Sequence, residues 1–256
     1  MRLIEDGEMP GDENMARDEA LVVSVARGFT PALRLYSFRP YCITIGRFQE
    51  FPGSIDVDFC KRNGIDIVRR PTGGLAILHH LDFTYSVVLP FDGNYSSRRE
   101  AFKLIAKGVV ASLKNLGIEA SIVEHETPRE KKSTWCFVSE FGVDIEWMGR
   151  KICGSAQRVF SDSILQHGTL FFDIDEKLME SLTQGSLASK DKPFCSMGEA
   201  AGRNFEWEEV TRAFISGFSK TIGISFFCAT FGQFEKEKAE ELKQIRYSRR
   251  EWLHCL

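Results

Sequence analysis

Strand-like segments in this chain come in consecutive runs instead of one at a time between helices, and that order decides which class of fold is open to it. Segments 33–38 and 41–47 alternate or run apolar, and Arg39-Pro40 separates them, a break that a strand interior does not hold. A short helix at 56–62, stopped by Asn63-Gly64, and a brief strand at 65–68 follow, then strands at 75–78 and 82–89. A second run covers 118–123, 142–147, 150–157 and 164–172, with turns at Met148-Gly149 and Ser161-Asp162. Strict β-α alternation is missing. That argues against a Rossmann-type sheet and predicts an α+β fold, a mixed sheet flanked by helices.

The clearest helix spans 98–116, where Phe102, Ile105, Ala106, Val109, Leu113 and Leu116 make one apolar stripe. Ser97 and Glu100 have the spacing of a capping box, and Gly117 ends the run. Asp12 is expected to cap a first helix that reaches Arg27, with Gly28 just beyond. Past residue 175 helical spacing returns at 175–182, 206–222 and 231–245, around a Gly/Ser/Lys-rich stretch at 184–204. Segment 124–134 is polar, charged and broken by Pro128, so it reads as an exposed loop.

The chain has 256 residues, enough for one large domain or two small ones. Hydrophobic residues at 43% and charged residues at 27% exclude wholesale disorder, and a net charge of −3 leaves no footprint for nucleic acid or an anionic membrane. No apolar run approaches a membrane span, and the acidic start MRLIEDGEMPGDEN is unlike a signal peptide. Seven cysteines without a CxxC pair argue against a disulfide framework and a structural zinc site, so a cytoplasmic protein with free thiols is expected and no metal ligands are assigned. Phe is in excess, 21 copies against 5 Tyr and 4 Trp, which suits a core or a pocket rich in apolar rings. The P-loop, GxGxxG, HExxH and GxSxG patterns are all missing.

Three constellations remain. RRPTGGLAILHH (69–80) sets two arginines and a hydroxyl ahead of Gly73-Gly74. It is either a glycine turn with solvent-facing arginines or a loop whose backbone approaches a ligand closely. GRKICGSAQR (149–158) puts Lys151, Cys153 and Ser155 on one strand face and Arg150, Ile152 and Gly154 on the other. That is either an edge strand with an exposed lysine or a pocket wall with one ammonium aimed at a carbonyl or phosphate. TWCFVSEFG (134–142) places Cys136 just after Lys131 and Lys132, where a strand is expected to begin. Positive charge beside a thiol favours the thiolate, but most free cysteines are buried small hydrophobes. His80, His125 and His254 have no partner that the sequence identifies and are read as surface or structural residues.

Taken together with LQHGTLFFDID (165–175), ENMARDEAL (13–21), RLYSFRPYCITIGRFQ (34–49) and RYSRREW (246–252), these blocks resemble the lipoate-protein ligase and octanoyltransferase family, a relative of the biotin-protein ligases. The resemblance covers nearly the whole chain. It implies a biotin-ligase-like, class II synthetase-like catalytic domain over 1–256, with a curved mixed sheet and a tunnel for a medium-chain acyl group. By the same resemblance Arg70, Thr72, Gly73, Gly74 and His79 form the binding loop, and Lys151 is the cation facing a carbonyl or thiolate. Gly154, Ser155, Gln157, His167 and Gly168 are pocket neighbours. Leu75 stands where relatives have Gly or Arg.

The family holds ATP-dependent ligases, usually with a C-terminal accessory domain, and octanoyltransferases that use a cysteine. The chain ends four residues after Trp252, so no accessory domain is expected. One transferase class carries its cysteine three residues before the HG pair, where this chain has Ile164. The other carries it upstream of the lysine strand, and W-C-F at 135–137 resembles that block, with Cys136 fifteen residues before Lys151. The resemblance therefore implies an octanoyltransferase that takes octanoate from octanoyl-acyl carrier protein onto Cys136 and passes it to a lipoyl-domain lysine, on the glycine-cleavage H protein or a 2-oxoacid dehydrogenase E2. No cofactor is needed on that route. ATP and Mg would enter only if the chain were a ligase, and an amidotransferase acting between lipoyl domains has a similar layout.

Overall fold

The computed structural model describes residues 1–91, 97–125, 134–138, 142–182 and 192–255. Its main sheet runs β11-β1-β2-β6-β10-β9-β8-β7, built from β1 (Arg2–Met9), β2 (Ala32–Phe38), β6 (Asp82–Pro90), β7 (Ser121–His125), β8 (Gly142–Trp147), β9 (Arg150–Val159), β10 (Ser163–Phe171) and β11 (Phe227–Cys228). β1 lies parallel to both β2 and β11, and the other pairings are antiparallel. A smaller sheet, β4-β3-β5, joins β3 (Cys42–Ile45), β4 (Asp66–Arg69) and β5 (Ile77–His79). The mixed sheet flanked by helices is thus present, without a Rossmann order.

Alternation along β6 shows how the sheet is covered. Phe83, Tyr85, Val87 and Leu89 face a core shared with α3 (Arg98–Asn115) and α6 (Trp207–Ile222), through Ile105, Val109, Leu113, Phe214 and Phe218. Thr84, Ser86 and Val88 face the other way, toward α1 (Gly11–Ala26). The α3–α6 contact is close because Gly108 lies under the Phe218 ring and Gly217 against Ser112, whose atoms a Cβ at 217 would meet at 2.4 Å. Most of the phenylalanine excess is used here and in the cluster around Phe137, Phe171 and Phe194.

Several local expectations are corrected. β1 was not foreseen: RLIEDGEM is acidic, and its burial comes from pairing on both edges, with a register shift between Glu5 and Gly7. The cap of α1 is Pro10, not Asp12, whose carboxylate instead accepts from the Glu13 N–H and the Ser248 hydroxyl. The strand expected at 118–123 is Ser121–His125, and Cys136 opens a 3₁₀ turn, Cys136–Val138, instead of a strand. Met197–Ala201 forms a short helix inside the Gly/Ser/Lys-rich stretch, where none was expected. Lys131, Lys132 and most of segment 124–134 lie outside the described residues. Ser97 accepts from the Glu100 N–H as foreseen, and Asp56 caps α2 (Val57–Arg62).

Candidate active site

Arg69 and Arg70 are buried at 0% and 2% exposure, which removes the reading of a solvent-facing turn. Arg69 donates to the carbonyls of Gly46, Gln49 and Leu253, and the Trp252 indole N–H donates back to the Arg69 carbonyl at 2.8 Å. The RYSRREW element therefore closes over the loop from the C-terminal side. Arg70 clamps the loop from within, donating to Gly73 O at 2.6 Å, Leu75 O at 2.9 Å and Thr44 O at 3.1 Å. Burial pulls the Arg70 guanidinium down to about 10, with the Cys136 sulfur opposing, so it stays charged at neutral pH.

Two Asp–His–Thr relays support this loop from behind. Buried Asp18 on α1 accepts from Arg34, Tyr36, Ser86 and His167 Nδ1. Burial opposes its charge, yet the His167 hydrogen bond and the Arg34 charge outweigh that, and the carboxyl is held below its usual range. An ionised carboxylate only accepts, so Nδ1 carries a proton, and Nε2 lies 2.6 Å from the Thr72 hydroxyl. In the second relay Asp82 Oδ2 lies 2.7 Å from His79 Nδ1, and His79 Nε2 lies 3.0 Å from Thr44 Oγ1. The His79 ring stacks on Phe38 at 3.8 Å, and burial lowers its pKa against the pull of Asp82.

The loop borders a cavity of about 610 Å³. Gly73, Gly74 and Leu75 form one wall, Val143, Asp144, Lys151, Ser155, Ala156 and Gln157 another, and Arg98, Arg99 and Phe102 of α3 a third, with Cys136 on the lining. Among the described residues Phe102 is the sole aromatic ring there, so the rings do not wrap the pocket as their abundance suggested. Arg70, Thr72, His79, His167, Gly154 and Gly168 stand behind this lining. All but Thr72 border a void of only about 20 Å³. Most side-chain polar atoms of Arg70, Thr72, His79 and His167 are engaged in the relays and the clamp. Gly168 is a steric requirement: a Cβ there would meet Ser155 Oγ at 2.6 Å and Tyr85 Cε1 at 2.7 Å.

Cys136 is placed by its neighbours. Its N–H donates to Ala76 O at 2.8 Å, directly after the glycine loop, while Trp135 and Phe137 on either side are buried. Phe137 packs on Phe171 at 4.6 Å and the thiol is left half-buried on the cavity wall. Lys151 is nearly buried, and its Nζ lies 2.7 Å from Asp144 Oδ1, 3.2 Å from Cys136 O and 3.9 Å from Cys136 Sγ. Burial disfavours the ammonium, but the Cys136 sulfur and the Asp144 carboxylate more than compensate and raise its pKa. The rival thiol, Cys153, sits in the core, and burial pushes it up to about 12 against Lys151, so it stays protonated. A half-buried thiol, one ammonium and a cavity beside them are the parts of a nucleophilic acyl-transfer site.

Sequence reasoning did not single out Asp18, Gly46 or Asp144. Asp18 lies inside the 13–21 block, but nothing local distinguishes it from neighbouring Glu19. A Cβ on Gly46 would stand 1.8 Å from Gly74 O, a contact between segments far apart in the chain.

Residues 10–219 match the family model of the lipoyl protein ligase A/B catalytic domain. The chain belongs to that family. Octanoyltransferase LipM of Carboxydothermus hydrogenoformans is 35% identical over 263 residues, covering 98% of this chain and 97% of that protein. A putative lipoate protein ligase from T. acidophilum with bound lipoic acid superposes with a TM-score of 0.83 at 29% identity, covering 100% of this chain and 99% of the other. A lipoate-protein ligase A bound with ATP gives 0.86 at 28% identity, with the same coverage. Family membership, the fold and the catalytic nature of the chain thus agree with the resemblance in its sequence. No described helix is long and apolar enough to cross a membrane.

Proposed function

We propose that this chain is an octanoyltransferase of protein lipoylation that carries the acyl group on Cys136. The observation behind this reading is the Cys136 thiol on the cavity wall, 3.9 Å from the Lys151 ammonium. In the first half-reaction Cys136 sulfur attacks the carbonyl of octanoyl-acyl carrier protein, and the carrier thiol leaves with the proton that Cys136 gives up. In the second, the lysine amine of a lipoyl domain attacks the enzyme thioester, the C–S bond breaks and an amine proton returns to sulfur. Thioester to thioester is nearly isoenergetic, so no ATP is required. Lys151 supplies positive charge where negative charge develops on sulfur and carbonyl oxygen.

The acyl tail has apolar partners in Leu75, Phe102, Val143 and Ala156. Burying the seven carbons beyond the carbonyl contributes about 6 kcal/mol at ~0.8 kcal/mol per carbon. Acceptors are the lipoyl domains of the H protein or of an E2 subunit. Free thiols at all seven cysteines suit a reducing, cytoplasmic setting.

Intact-protein mass spectrometry after mixing with octanoyl-acyl carrier protein, without ATP, tests the reading. An octanoyl adduct that hydroxylamine removes and that Cys136→Ala lacks is the expected result. No adduct, but adenylate formed from ATP and free lipoate, would make the chain a ligase and Cys136 a bystander.

A further inference from the structure

Beside the acyl cavity, on the same face of β7 and β8, three donors converge, of which only Asp144, through Lys151, touches the transfer machinery. β7 and β8 pair with His125 opposite Gly142 and Val123 opposite Asp144, which places His125, Asp144 and Glu146 on one side of the sheet. His125 Nε2 lies 3.2 Å from Glu146 Oε1 and 3.5 Å from Asp144 Oδ2. Asp144 is 4% exposed, and its Oδ1 is taken by Lys151. Its Oδ2 and the His125 Nε2 are both buried, and among the described residues neither has a hydrogen-bond partner.

Orphaned buried polar atoms are costly, and two facing each other ask for something to satisfy both. A direct bond between the two does not achieve this, because Nε2 and Asp144 Oδ2 stand 3.5 Å apart. A divalent cation does it well. Donors held ~2.0–2.2 Å from a tetrahedral or octahedral ion are separated from one another by about 3.0–3.5 Å. The three ligand atoms already lie within 4.8 Å of one another, so closing any wider gap to about 3.0–3.5 Å completes the set. Two carboxylates balance the charge of such an ion, and the half-buried His125 and Glu146 leave a way in from solvent.

We propose that His125, Asp144 and Glu146 form a binding site for a borderline divalent transition-metal cation of the zinc class. One imidazole and two carboxylates select such an ion over Mg²⁺, which takes oxygen ligands and keeps most of its water. Three protein ligands leave a coordination position for water. Asp144 then bridges the cation and the Lys151 ammonium, joining this site to the wall of the acyl cavity.

The test uses the full-length chain, with Co²⁺ as spectroscopic probe and Zn²⁺ in competition with a chromophoric chelator. Expected are one cation per chain, visible Co²⁺ bands without the intense near-ultraviolet thiolate-to-metal absorption, and displacement of Co²⁺ by Zn²⁺. His125→Ala and Glu146→Gln should each weaken binding about ten-fold or more. The combined Cys136→Ser, Cys228→Ser, Cys255→Ser protein should bind as the wild type does. Circular dichroism of each variant separates a lost ligand from a lost fold, and Glu146→Gln, which keeps the side-chain volume, serves should His125→Ala unfold. Undiminished binding in the two ligand variants, loss in the cysteine variant, or no stoichiometric binding at all would each overturn the proposal.

Discussion

Gly46 lies outside the glycine loop, yet replacing it with alanine should do more harm than replacing Gly73 within the loop. An added Cβ would stand 1.8 Å from Gly74 O and 2.7 Å from Gly74 C. Ordinary contact needs a separation of about 3.4 Å or more, so one backbone must move by about 1.5 Å. Neither side is free to yield. Gly46 O accepts from Arg69 at 2.8 Å, and the carbonyls flanking Gly74 are held by Arg70 at 2.6 and 2.9 Å. Overpacking of this kind costs about 1–3 kcal/mol, which lowers the melting temperature by ~2–4 °C per kcal/mol in a chain of this size. Gly73 and Gly74 line the acyl cavity, and an ångström of misplacement costs about 10²-fold in rate. Single-turnover formation of the octanoyl thioester, followed by mass spectrometry beside thermal melts, measures both effects. Gly73→Ala is the control for stability: nothing lies within 4 Å of its added Cβ, and it should melt within about 1–2 °C of wild type. Wild-type rate and melting in Gly46→Ala, or an equally destabilised Gly73→Ala, would refute this reasoning.

Two further outcomes follow from the relays. Asp18→Ala strips a buried partner from Arg34, Tyr36, Ser86 and His167 at once and should destabilise the protein by about 3–5 kcal/mol in urea unfolding; a loss below about 1 kcal/mol would show the network to be dispensable. Burial also lowers the pKa of His79 and His80 below the usual 6.5, so their neutral forms contribute stability above that pH, and it is lost as the pH falls through their lower folded-state values. Urea midpoints measured from pH 7.5 down to 5.5 should therefore fall, and a flat or rising midpoint would contradict the assignment of neutral buried imidazoles.

What could be read from the sequence was what repeats over short distances. The stripe from Phe102 to Leu116 specifies α3, whose 3.6-residue period needs only its own turn to be seen. The turn at Met148-Gly149, both with positive φ, was legible for the same reason. The site motifs were legible through resemblance, which brought Cys136 and Lys151 together without saying how they meet. Tertiary structure alone decided the rest. β1 is buried because two parallel neighbours take its backbone, and an acidic, glycine-broken octapeptide carries no trace of partners some thirty and two hundred residues away. His79 and His167 are one residue type in two recognised blocks, and only the packing of β5, β10 and α1 turns each into the middle of an Asp–His–Thr relay behind the pocket. Asp144 holds Lys151 across a β-bulge between β8 and β9, a register that strand alternation does not encode. Local periodicity writes the elements. Which polar atoms they present to one another depends on contacts between distant parts of the chain, which exist only after it folds.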